Sequence, residues 1–268
     1  MNKRGQITLF VVIGLLLVGA IVLFLVMRGG LLKTPVSAEE AQKIISAQTA
    51  PILDLQERCT REVSMIGFNK LGMQAGYYNY APLQTIDFAG NKVIVIFKEG
   101  DKMVSKLPSI ESIEAEFTAY MNGEGYDALD NCTDNFKGFK KILDDVQEDK
   151  AKRKITADIG DDDVIINVEW PMTLKRGDAS TLVSAKNVSL LIPGIIFKVA
   201  NDISNMEIAG TEFSGADYDK YMYDNTEKVK NIGVDIRTPD VLTRIMLMSS
   251  VPYRKGEVPY YFYFGIKK

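Results

Sequence analysis

The chain of 268 residues has no histidine. That absence removes Ser-His-Asp and Cys-His catalysis and every metal site that needs an imidazole. Other expected signatures of chemistry are missing too. There is no P-loop and no Gly-x-Gly-x-x-Gly, and Ser64, Ser184 and Ser249 lack a Gly-x-Ser-x-Gly context. Lysines are plentiful, but no spacing selects one as a partner for a serine. Asp161-Asp162-Asp163 is an acidic triplet without EF-hand spacing, and a Gly-Asp turn between two strands accounts for it. Neither a catalytic residue, a metal ligand nor a cofactor is assigned. The net charge is −3 with no basic block, which argues against nucleic acid as a partner.

What the chain does have is Ile7–Met27, an apolar run free of charge, bracketed by Lys3 and Arg4 before it and Arg28 after it. At about 1.5 Å per residue this length matches the hydrocarbon core of a bilayer, so the sequence predicts a single-pass helix. A cleavable secretory signal would be shorter and end at small residues. The positive-inside rule then places the N-terminus in the cytoplasm and the C-terminal domain outside the cell membrane. The domain plan is a basic tail 1–6, a transmembrane helix 7–28, a linker 29–36 and an α+β domain 37–268, with a sub-boundary near 150. That last segment is long enough for a sizeable core. Its cysteines, Cys59 and Cys132, suit an oxidising compartment if they pair, and two buried thiols if they do not. Each lies on the apolar side of an expected helix, and a Cys59–Cys132 disulfide is the expectation.

Along the domain, Ser37-Ala-Glu-Glu40 has capping-box spacing. Ile45, Ile52, Leu55, Cys59, Val63 and Ile66 follow at helical intervals to about Met73, with a kink or restart at Pro51. Lys92–Phe97 and Met103–Ser105 read as a hairpin. Ser109 caps a helix carrying Ile113, Phe117 and Tyr120, and Gly123 breaks it before a second helix with Leu129 and Cys132. Asp144–Arg153, mostly charged, reads as a solvated helix face. Beyond it the pattern turns to strand: Ile155–Ile159 and Val164–Trp170 as a hairpin, a turn at Lys175–Asp178, and a strand over Ser180–Leu191. Ile195–Ile208 is helical, Gly210–Asn225 is loop with a helical turn, and Gly233–Arg237, Val241–Ser249 and Pro259–Ile266 form a meander. The fold class is therefore α+β, helical in the first half and antiparallel-sheet-rich in the second.

Lys3-Arg4-Gly5-Gln6-Ile7-Thr8-Leu9 resembles the class III, prepilin-type signal of archaeal surface proteins. The resemblance implies peptidase processing between Gly5 and Gln6, and envelope or filament proteins as partners. Phe10 stands where main pilin subunits carry glutamate. Cys59 and the turn Leu71-Gly72-Met73-Gln74-Ala75-Gly76-Tyr77 are similar to uncharacterised archaeal single-pass proteins. In those a second cysteine sits in a later helix pair, and glycine stands at the place of Ala75. That family carries no known activity.

Two aromatic clusters, Tyr77-Tyr78 with Tyr80 and Tyr260–Phe264, could form a binding face or simply a core. Asn131-Cys132-Thr133 and Asn187-Val188-Ser189 are glycosylation acceptor patterns. The leading functional expectation is a non-enzymatic membrane-anchored surface protein, pilin-like or pilus-associated. A membrane-anchored sensor or binding domain is the alternative, and a bitopic enzyme the third.

Overall fold

Ser37 starts the element on which everything else is mounted. Its hydroxyl accepts a hydrogen bond from the Glu40 backbone N–H at 3.2 Å, and helix α1 then runs over Ala38–Met73, 36 residues. The computed structural model of the protein describes residues 36–267 except 80–83, 89, 100–101, 105–106, 209–214, 241–242 and 251–258. Glu39 and Glu40 in the first turn and Lys70 in the last complement the helix dipole. Pro51 does not restart the helix, which runs through it without a break. It sits on the exposed face, where a lost backbone bond and a bulky ring are tolerated. The buried stripe follows Ile45, Ile52, Gln56, Cys59, Val63, Phe68 and Leu71. Ile66, expected on it, is 59% exposed. A strict seven-residue spacing drifts about 20° per heptad on a 3.6-residue helix, so the core face has moved on to Gly67 and Phe68.

Strands β1 (Thr85–Phe88), β2 (Asn91–Glu99) and β3 (Lys102–Val104) come next. Helices α2 (Ile110–Asn122) and α3 (Glu124–Thr133) follow, the first capped by the Ser109 hydroxyl and the two separated at Gly123. The middle of the chain is strand-rich: β4 (Asp145–Glu148), β5 (Lys154–Ile159), β6 (Val164–Glu169), β7 (Pro171–Arg176), β8 (Ala179–Ser184) and β9 (Val188–Leu190). The last part holds helices α4 (Ile195–Ile208), α5 (Gly215–Asp224) and α6 (Thr226–Val229). Strands β10 (Ile232–Asp240), β11 (Thr243–Ser250) and β12 (Tyr261–Lys267) complete it.

Three sheets result, ordered β1-β2-β12-β11-β10 with β3 beside β2, β4-β7-β8, and β5-β6-β9. The two small sheets are joined because β6 and β7 are nearly one strand, bent at Trp170. The large sheet unites the beginning and end of the domain through a parallel pairing, Gly265 opposite Val95. Helix α1 packs on β7, β8 and β9 along its length and on β12 near its end, and α2 packs on β5. One apolar core runs through all of this, with Trp170, Phe68, Phe117, Phe197, Phe262 and Phe264 fully buried.

The single-pass plan is corrected. Among the described residues no helix is long and apolar enough to cross a membrane. The longest, α1, carries charge along its outer face and belongs between water and the core. Ile7–Met27, on which the plan rested, lies outside the described residues, as do Gly5 and Gln6. The single-pass cell-membrane location with an extracellular domain, which depended on it, is not supported. The fold is α+β with a sheet-rich C-terminal half.

Candidate functional site

The run 144–153 is not a helix face. Val146 is buried between half-buried Asp145 and exposed Gln147 and pairs with Leu174, β4 being an edge of its sheet, and Lys150–Lys152 form a single 3-10 turn. The turn delivers Arg153 into the interior, its side chain 2% exposed. Its Nη1 donates to Asp130 Oδ1 of α3 at 2.8 Å and lies 3.1 Å from Glu148 Oε1 of β4. The guanidinium carbon stands 3.5 Å from the centre of the Tyr126 ring and 5.1 Å from that of Trp170. Lys150 Nζ donates to the other Asp130 oxygen at 2.5 Å. One cation thus fastens α3, β4 and the bend between the small sheets.

The two carboxylates of this knot respond in opposite directions. Burial works to raise Asp130, but Lys150 and Arg153 outweigh it and hold the carboxyl below its ordinary range. Glu148 is pushed up, first by burial and also by the negative charge of Asp130, with Arg153 offsetting only part. A charged pair in a low-dielectric setting behaves this way when one acid holds the better share of the cations.

Two shallow hollows adjoin the knot and share Lys152 and Pro171. One, of about 420 Å³, is completed by Ala151, Lys154, Glu169 and Ser184. The other, of about 620 Å³, is completed by Gln147, Glu148, Asp149, Lys150, Thr173 and Leu182. Gln147, Thr173 and Leu182 stand side by side across β4, β7 and β8, and Leu182 is 71% exposed. Lys152 is held by Asp149 at 2.8 Å. The surface is mixed in polarity, and Lys150, Lys152 and Glu148 are each paired with an opposite charge.

The other sequence candidates are distributed elsewhere. Cys59 and Cys132 form a disulfide, S–S 2.09 Å, tying α1 to α3. Asp161 pairs with Lys198 and its carbonyl accepts from Ile195 N–H at 3.0 Å, while Asp163 Oδ2 accepts from the Ser189 hydroxyl at 2.6 Å. The acidic triplet therefore closes a hairpin and seats the start of α4. Among the described residues no three acids or cysteines gather as a metal site. Asn187 precedes β9 rather than lying inside a long strand. Its amide is committed, Oδ1 accepting from Val168 N–H at 3.0 Å and Nδ2 donating to Asn167 Oδ1 at 2.9 Å. Asn131 is exposed on α3.

The aromatic clusters are mostly core. Tyr78 meets Tyr120 edge-on at 5.7 Å, and Tyr260 is buried with its hydroxyl donating to Phe68 O at 3.2 Å. Phe262 and Phe264 face inward, and Tyr261 faces out at 40% exposure. Tyr80 lies outside the described residues. The turn after α1 is likewise structural. A Cβ on Gly72 would lie 2.1 Å from Tyr261 O, so only glycine lets β12 approach the helix so closely. Ala75 adopts φ +52°, the left-handed backbone for which glycine is the natural choice.

No family model matches the chain, and no curated protein and no solved structure is detectably similar to it.

Arg153 and Glu148 are the site residues that sequence reasoning passed over. Their pattern was hidden because β4 has only one apolar residue, Val146, and the partner Asp130 lies in a different helix.

Proposed function

We propose that this chain is a non-enzymatic, disulfide-braced component of a protein assembly that works by binding other polypeptides through the outer side of its bent sheet. The observation that carries this is the hollow beside Leu182, lined by Thr173 and by Asp149, Lys150 and Lys152 of the 149–152 turn. Its mixed, internally paired charges offer neither a convergent acid and base nor a pocket closed to water, and its exposed leucine offers apolar contact area of the kind found at interface cores. The Cys59–Cys132 bond supports work in a compartment where thiols are not kept reduced. The resemblance of residues 3–9 to prepilin-type signals points toward envelope or filament proteins as the partners, with a prepilin-type peptidase acting at Gly5-Gln6.

Photo-cross-linking amino acids at Gln147 and Thr173, with Tyr223 on the far helix α5 as control, test this in the native host. The reading expects discrete protein adducts from the first two positions and none from Tyr223. Equal labelling at all three, or no protein adduct at any, overturns it.

A further inference from the structure

Strand β8 is an edge strand, and among the described residues no strand pairs with its free side. The two-residue turn Gly177-Asp178 makes Arg176 and Ala179 a hydrogen-bonded pair, and bonded pairs then alternate along an antiparallel ladder. Two bonds on the opposite side of β7 fix the same alternation, since Lys175 O accepts from Asp144 N–H and Pro171 O from Asp149 N–H. Thr173 therefore also turns its backbone toward β4, and the residues opposite these three, Ser180, Leu182 and Ser184, turn theirs away from β7. Among the described residues no backbone or side-chain group bonds those N–H and C=O groups. All three residues are exposed.

Edge strands normally carry protection, such as charge, proline or a covering element. The other edges here have it. Strand β4 carries Asp145 and Glu148, and β10 carries Asp235, Arg237 and Pro239. Strand β5 carries Lys154 and Asp158 and is covered by α2, whose Glu114 accepts from Ile159 N–H at 2.9 Å. Strand β9 has three residues, and Arg61 holds its Ser189 carbonyl at 2.6 Å. Strand β8, Ala-Ser-Thr-Leu-Val-Ser, has no charge, no proline and an exposed leucine at its centre.

We propose that β8 is the seam through which two copies of this chain associate, pairing antiparallel about Leu182. This rests on reading the chain as an assembly component and names its partner. Under a two-fold axis Leu182 faces Leu182 of the second copy, and Ser180 faces Ser184. Every open N–H then meets an open C=O, no like charges oppose, and the two leucines cover each other. The β4-β7-β8 sheet becomes continuous across the pair, an isologous interface.

Single cysteines in the full-length chain read the register, because both native cysteines are already paired. Bonded pairs in an antiparallel ladder have Cα atoms about 5.5 Å apart, within the range a disulfide spans. Leu182→Cys should give a covalent dimer under mild oxidation. Ser180→Cys alone should not, whereas a mixture of Ser180→Cys and Ser184→Cys chains should. Leu182→Lys should be monomeric in sedimentation at concentrations where the native chain dimerises, with an unchanged melting temperature, and Ile66→Lys should dimerise normally. A native chain monomeric up to millimolar concentration, or a Leu182→Lys variant that dimerises as well as native, overturns the seam. If that happens while Gln147 and Thr173 still cross-link to a different protein, the assembly reading stands and only the second copy is wrong.

Discussion

Replacing Arg153 by methionine is the perturbation whose consequence the structure specifies most fully. The side chain fits the same space but leaves Asp130 and Glu148, whose side chains are 19% and 10% exposed, without their shared cation. Removing one partner of a buried ion pair costs about 3–5 kcal/mol. Lys150 still serves Asp130, which favours the lower part of that range, and the lost stacking of the guanidinium on Tyr126 adds about 1 kcal/mol. A total near 4 kcal/mol is a large share of the roughly 5–15 kcal/mol by which domains are stable. At about 2–4 °C per kcal/mol for a domain of this size, the melting temperature should fall by roughly 8–16 °C. Pairing lowers the Asp130 pKa, so its contribution is present above its unfolded value and is lost as pH falls through the folded one. Without Arg153 that lowering shrinks, so the gap between native and variant should narrow toward acid. Chemical denaturation of both proteins at neutral and acidic pH reads this. A loss under about 1 kcal/mol at neutral pH would show that the knot is not the fastening described, since intact buried pairs cost several times that to break. A gap that widens in acid would refute the electrostatic account.

Other consequences are as definite. Glu148→Gln should be neutral or stabilising at neutral pH, because burial raises the glutamate pKa and the fold disfavours its ionised form. The native side chain's contribution is present below its unfolded value and lost as pH rises through the folded one, so the variant's advantage should vanish in acid, as paired melts will show. Cys59→Ser and Cys132→Ser should each cost about 4 kcal/mol on the chain-entropy model, and the double variant no more, so additive losses in denaturation curves would speak against the bond's role. Gly72→Ala should cost about 3 kcal/mol, since a Cβ there would meet Tyr261 O and the Tyr260 hydroxyl, and near-native stability would mean that β12 does not lie so close.

Local chemistry was readable from the residues and non-local pairing was not. Ser37 and Ser109 announced their helices because a cap depends on neighbours three residues away. The Val164–Trp170 alternation announced a half-buried strand because side-chain period is a local property. The expected strand over Ser180–Leu191 proved to be two, β8 and β9, divided where Asn187 turns its amide onto β6. Strand β7 was obscured by Thr173 and Lys175, which face outward, and Gly215–Asp224 by a composition that suits loops as well as helix. The parallel pairing of β12 with β2 joins Gly265 to Val95, residues far apart in the chain, and no short-range pattern encodes it. The knot was illegible for the same reason, being assembled from α3, β4 and the 3-10 turn. The charged run 144–153 looked solvated because sequence shows charge but not where the charge goes.

The central claim, that this chain acts by protein contact through the outer side of its bent sheet, is tested most directly by hydrogen exchange. Natively isolated material would be compared with the purified chain at low concentration. The account predicts slowed exchange in the native material at Ser180, Leu182 and Ser184 and around Asp149–Lys152, with no change along α5 and α6. Identical exchange in the two samples at β8 and the 149–152 turn, or protection confined to other faces, would contradict it.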